Sequence, residues 1–155
     1  MNLKLVLKQG MAALRAANIA TYQLDARLLL QFALSKTYEE LIFHDDEIIS
    51  ITDFNNYQQL LNRRVKHEPI AYIISKCEFY GLDFIVQPNI LIPRPETETI
   101  IDTALEYQPQ NILELGVGSG CIAVTLLKQL PLSQVTAIDF SADAIKIAAQ
   151  NAEQH

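Results

Sequence analysis

The chain has 155 residues, half of them hydrophobic, enough for one ordinary domain or two small ones. Its net charge of -6 is uneven: residues 1–68 balance eight Lys/Arg against eight Asp/Glu, whereas residues 69–155 hold four against ten, an acidic half unsuited to holding a phosphate backbone. No apolar run approaches the roughly 20 residues that cross a bilayer, the start MNLKLVLKQG lacks the order of a secretory signal, and the two cysteines, Cys77 and Cys121, have no metal-ligand spacing.

These exclusions leave an expected cytoplasmic globular protein with no membrane association, no metal and no direct nucleic-acid binding. Both cysteines read as plain buried thiols. In chain order, LKLVLKQGMAALRAA and TYQLDARLLLQFAL place apolar residues three and four apart, as amphipathic helices do. TYEELIFH follows, with Thr37 and Glu40 spaced as a capping box, and then TDFNNYQQLLNRRV after Ser50. A helical bundle over 1–68 is expected. Its last basic cluster, Arg63 to His67, reads as a solvated helix end with its cations near the negative end of the dipole; contact with RNA or an acidic protein is the alternative.

All six prolines fall from Pro69 onward, where the period changes. CEFYGLDFIVQPNILIP alternates aromatic and β-branched residues around Gly81 and predicts a β-hairpin linker over 69–93. ETETIIDTALEYQ is helical again, with Pro95 suited to a helix start. Strand NILEL, helix CIAVTLLKQL, strand QVTAID and helix SADAIKIAAQNAEQH then imply a parallel sheet over 94–155. The fold class is mixed α/β: helical bundle, hairpin, and a Rossmann-like βαβα segment.

Three of the five glycines lie at Gly116, Gly118 and Gly120, where a strand breaks into a helix. Missing Cβ atoms let a ligand approach the backbone. The spacing is not G-x-G-x-x-G, which disfavours pyrophosphate. Asp139 ends the next strand, where a carboxylate can accept hydrogen bonds from both hydroxyls of a ribose. Singly, these features equally suit a tight turn and a helix cap; on consecutive strands of one βαβ unit they favour a nucleoside site.

ILELGVGSGCIAV and AIDFSADAIKIAAQNAEQH resemble motifs I and II of class I S-adenosylmethionine-dependent methyltransferases. More narrowly, RRVKHEPIAYI, FYGLDFIV, ILIPRPETE and LGVGSGCIA resemble the protein-(glutamine-N5) methyltransferases that modify peptide chain release factors, the HemK or PrmC family. The resemblance covers the whole chain and is strongest from Arg63 to His155. It implies S-adenosyl-L-methionine as cofactor, with Gly116, Val117, Gly118, Ser119 and Gly120 wrapping its methionine part. Asp139 would hold the ribose, and Glu114 would brace the loop near the cationic end. The implied partner is a release factor, docked by the helical domain and hairpin and methylated on a glutamine side chain.

Ser75 and Val117 stand where many members have glycine and threonine. The larger departure is that no NPPY tetrapeptide occurs among the 155 residues. The family positions the weakly nucleophilic amide nitrogen with that motif, so the expectation is a truncated, inactive fragment with an apolar sheet edge open to self-association. A non-catalytic release-factor-binding module is the alternative. At the junction ILIPRPETE, Pro93 and Pro95 would aim Arg94, and the resemblance implies that Arg94, Thr97 and Glu98 line the pocket. Arg94 paired with a carboxylate across a domain linker is the competing reading.

Overall fold

The computed structural model describes all 155 residues, and the chain divides into a first unit, Met1–Ile74, and a second, Ser75–His155. The first unit is helical: α1 (Leu3–Ala16), α2 (Tyr22–Leu34), α3 (Tyr38–Phe43), α4 (Ile51–Val65) and a short α5 (Ile70–Ile74) for which the sequence pattern gave no signal. The capping box at α3 is formed, the Thr37 amide donating to Glu40 Oε2 at 2.7 Å and the Glu40 amide to Thr37 Oγ1 at 3.3 Å. Ser50 caps α4 by accepting from the Asp53 amide at 3.1 Å. Such caps satisfy backbone donors that a helix start leaves unpaired.

Apolar residues at helical spacing meet in one core, with Leu3, Val6, Leu14, Leu29, Leu30 and Leu61 buried around Tyr57. The Tyr57 hydroxyl donates to the Ala26 carbonyl at 3.1 Å. Gly10 makes room for it, because a Cβ there would stand 1.9 Å from that hydroxyl. At the basic end of α4, Arg63, Lys66 and His67 are exposed as the solvated reading expects, and Arg64 departs from it. Arg64 turns inward, its Nε donating to Asp25 Oδ2 at 2.7 Å and its Nη1 to the Glu68 carbonyl at 3.0 Å. The Asp25 side chain is 3% exposed, and Thr21 Oγ1 donates to the same oxygen at 3.0 Å. Arg63 pairs with Glu68, Nε to Oε2 at 2.9 Å.

In the second unit β1 (Lys76–Phe79) and β2 (Leu82–Ile85) form an antiparallel hairpin, Lys76 opposite Ile85 and Phe79 opposite Leu82. Its two-residue turn, Tyr80 and Gly81, has positive φ at both positions, the mirror-type turn whose twist suits adjacent strands. Strand structure stops at Ile85, and a single 3₁₀ turn, Pro95–Thr97, leads into α6 (Glu98–Tyr107). β3 (Asn111–Leu115), α7 (Cys121–Gln129), β4 (Gln134–Ile138) and α8 (Ala142–Gln154) follow. β3 and β4 pair in parallel with Leu115 opposite Ile138.

The two-residue period of a strand sorts this sheet into unlike faces. Phe79, Phe84, Ile101, Cys121, Val124 and Leu126 form a core onto which Ile112 packs. The opposite face, carrying Leu113, Leu115 and Ile138, is bare: Leu113 is 65% and Leu115 72% exposed. No helix is long and apolar enough to cross a membrane.

Candidate functional site

Where β3 ends, the neighbouring strand shapes the turn. The amides of Gly116 and Val117 both donate to the Ile138 carbonyl, at 2.8 and 3.0 Å, and the Gly120 amide closes back on the Val117 carbonyl at 2.8 Å. Gly116, Gly118 and Gly120 have φ of 85°, 55° and 82°, values at which a side chain is strained. Their surroundings differ. A Cβ at Gly116 or Gly118 would meet nothing within 4 Å, whereas one at Gly120 would press on Ala148 at 3.0 Å. Two glycines thus open space beside the loop, and the third seats it on α8.

Asp139 holds the loop from β4. Its Oδ2 accepts from the Gly118 amide at 3.0 Å and its Oδ1 from the Ser141 amide at 2.9 Å. These bonds to backbone amides keep its carboxyl below the usual carboxylate range. Ser141 caps α8, accepting from the Ala144 amide at 3.3 Å, so the turn, the cap and the carboxylate are one assembly rather than competing readings. Each carboxylate oxygen retains acceptor capacity after one such bond.

Glu114, the penultimate residue of β3, points inward. Burial pushes its carboxyl up to about 7, the Ala123 amide acts against that, and the Asp139 charge adds to it. Its Oε2 is buried without a hydrogen-bond partner. Cys121 opens α7 as a thiol that burial pushes up to about 11; it is buried as expected, but Cys77 is only half-buried.

The junction residues take other places. Glu98 accepts from the Tyr80 amide at 2.8 Å, and Tyr80 Oη donates to Asp102 at 2.9 Å, so this acid steadies the hairpin turn. The Thr97 amide donates to the Arg94 carbonyl at 3.0 Å. Arg94 is exposed and is in none of the five ion pairs, which removes the carboxylate-bracing reading. The glycine loop, Glu114 and Asp139 are assembled together; no hydrogen bond joins Arg94, Thr97 or Glu98 to them.

Two residues escaped the sequence pattern. Phe140, next to Asp139, is fully exposed, an aromatic ring whose environment no periodicity reveals. Asn151 is fully buried in α8, and its side chain reaches both the loop at Ser119 and the hairpin at Ile85. An asparagine amid alanines in a helix is a faint signal, because it favours helix interiors less than its neighbours do.

The chemistry of this donor set is selective. A pyrophosphate placed at the loop would face the Asp139 carboxylate. A neutral sugar with hydroxyl donors joined to a cationic group suits Asp139 and the unpartnered Glu114 oxygen, and the space at Gly116 and Gly118 admits it close to the backbone.

A family model described as the PrmC N-terminal domain matches residues 6–74, and one described as a methyltransferase domain matches residues 112–155. Among curated relatives, the chain is similar to a release factor glutamine methyltransferase of Koribacter versatilis, 40% identical over 98% of this chain and 56% of the relative. It is similar to another from Geobacter sulfurreducens, 43% identical over 86% of this chain and 48% of that protein. A bifunctional methyltransferase of Rickettsia bellii is 40% identical over 96% of this chain and 32% of its own length. The chain thus spans about a third to a little over half of these relatives. It joins a PrmC N-terminal domain match to the opening of a methyltransferase domain at Ile112, and over most of its length it is similar to part of release factor glutamine methyltransferases.

Proposed function

We propose that the chain binds S-adenosyl-L-methionine at the Gly116–Gly120 loop and serves N5-methylation of a glutamine side chain in a peptide chain release factor. The observation that carries this reading is the loop itself: open at Gly116 and Gly118, closed on Ile138 and held by Asp139. Val117 and Ser119 contribute backbone to the wrap around the methionine part. Asp139 takes the ribose hydroxyls, and Glu114 Oε2 faces the cationic end. Phe140 offers a ring face of the kind on which a base stacks. When bound, the cofactor supplies an activated methyl group on a sulfonium; the residues described here bind and orient it. Arg94 and Thr97 are proposed for the pocket rim.

The helical unit is proposed to dock the release factor. Along α1, Lys8 and Met11 are shared by two adjoining hollows, one lined by Leu3, Leu7 and Leu41 and the other by Arg15 and Tyr22. Lys8 and Arg15 have no carboxylate partner; Asp45, paired with Lys4, also lines the first hollow, so it is the second, with its cationic border, that suits an acidic, apolar segment.

Calorimetry with S-adenosylmethionine tests the cofactor site. Binding by the intact chain is expected, and Asp139→Ala should weaken it by about tenfold or more, as loss of charged hydrogen bonds does; unchanged affinity removes Asp139 from the site. A second reading, a binding module without turnover, is favoured by the apolar hollows along α1 of the helical unit. Mass spectrometry of the release factor after incubation with chain and cofactor separates the two. A 14 Da gain on glutamine, the order expected for one methyl group replacing a proton, establishes the enzyme; co-purification without that gain supports the module.

A further inference from the structure

One buried side chain joins two parts of the second unit that are far apart in sequence. Asn151 is fully buried. Its Nδ2 donates to the Ser119 carbonyl at 2.8 Å and to the Ile85 carbonyl at 3.0 Å, while its Oδ1 accepts from the Ile85 amide at 2.7 Å. The carboxamide therefore pairs with the Ile85 backbone as a neighbouring strand would, and it uses its remaining donor on the glycine loop. Ile85 is paired with Lys76 across the hairpin, so both hairpin strands are attached to that link. One turn later on α8, Gln154 Nε2 donates to the Asp83 carbonyl at 2.9 Å, fixing the same hairpin edge.

The loop end of this connection is equally constrained. Gly120 leaves no room for a Cβ against Ala148, one helical turn before Asn151, and Ser119 itself is buried. A shift of the loop must carry the Asn151 amide with it or break its bond to Ser119. A shift of the Ile85 edge must do the same from the other side. Buried amide groups left without partners are costly, so the two ends are held to compatible positions.

We infer that Asn151 is a positioning residue that couples the β1–β2 hairpin to the cofactor loop, so that filling the loop stiffens the hairpin and engaging the hairpin tightens the loop. This rests on the proposal that the loop holds S-adenosylmethionine. Thermodynamic coupling is reciprocal: whatever the cofactor does to the hairpin, a partner on the hairpin does to cofactor affinity. The hairpin is thus more than a support for a partner; it reports the state of the loop.

Hydrogen exchange of the intact chain, read at the Ile85 amide with and without S-adenosylhomocysteine, tests the inference. Saturating ligand is expected to slow Ile85 exchange by about fivefold or more, the lower range of measured couplings, together with protection of Gly116–Gly120. Asn151→Ala should lose the Ile85 response and bind the ligand more weakly. Gln154→Ala, which removes a hairpin bond but not the loop bond, should keep the response. Loop protection with unchanged Ile85 exchange in the unaltered chain overturns the coupling, and that result needs no variant to fold. Absence of any loop protection overturns instead the cofactor reading beneath it.

Discussion

The helical unit and the methyltransferase unit solve the same burial problem to different degrees. In the first, the apolar stripes of α1, α2 and α4 meet in one core and the buried Asp25 carboxylate is paired with Arg64, while Phe43, Ile48 and Ile51 stand exposed outside it. In the second, helices and hairpin cover one sheet face while Leu113 and Leu115 stand in solvent on the other. The first unit is therefore sensitive to any loss of fit, whereas the second has a surface on which substitution is nearly free. In the second unit an open loop with strained glycines suits a ligand.

The largest effect that would break this contrast lies at Arg64. Arg64→Met leaves the Asp25 carboxylate buried and unpaired, which costs about 3 kcal/mol or more, and circular dichroism should show the helical signal melting first. Adding Asp25→Leu should recover much of the loss. Next is Gly10→Ala, whose Cβ collides with the Tyr57 hydroxyl; overpacking of this kind costs about 2 kcal/mol. If both variants melted like the unaltered chain, the first unit would not be the closely fitted body its contacts describe.

The third effect belongs to Glu114. Its carboxyl ionises at 4.5 ordinarily and is raised to about 7 in the fold. Between those values the folded chain keeps a proton that the unfolded chain has lost. The resulting stabilisation is complete below the ordinary value and disappears as pH rises through about 7. A cation bound beside Oε2 favours the ionised form, so affinity for S-adenosylmethionine should rise several-fold as pH increases through about 7, with a proton released. It should level off as the ligand's own ammonium deprotonates near 8. Titration calorimetry in buffers of different ionisation enthalpy reads the proton directly, and Glu114→Gln should abolish its release.

The smallest effect sharpens the contrast from the other side. Leu113→Lys should change stability by no more than about 0.5 kcal/mol, as exposed substitutions do. It should also reduce any concentration-dependent association seen by sedimentation, because contiguous exposed apolar surface favours contact between copies. A destabilisation comparable to Arg64→Met would mean that the outer face is covered in solution.

Much of this was legible beforehand because it depends on local spacing. Thr37 and Glu40, Ser50, and the glycines at 116, 118 and 120 carry their geometry in the sequence itself. The open apolar surface is expected at the sheet edge, whereas the structure leaves bare the face that carries Leu113 and Leu115. What was not legible depends on distant partners. Arg64 sits in a basic run that suggests solvent, yet Asp25 pulls it inward. The bond from the Tyr80 amide to Glu98 is not written in the junction's own spacing, and Asn151 acquires its meaning only when Ile85 and Ser119 reach it. Local chemistry states what a residue can do, and chain topology selects its partner.

The shared acceptor at Ile138 has a kinetic consequence. Because the amides of Gly116 and Val117 both rely on that carbonyl, the loop cannot take its shape until β4 has been made and laid beside β3. Contacts between distant positions form more slowly than those within helices, so during refolding the loop should acquire protection after α1 to α4. On the ribosome the same order holds by necessity, since residue 138 leaves the exit tunnel only after the helical unit has already emerged.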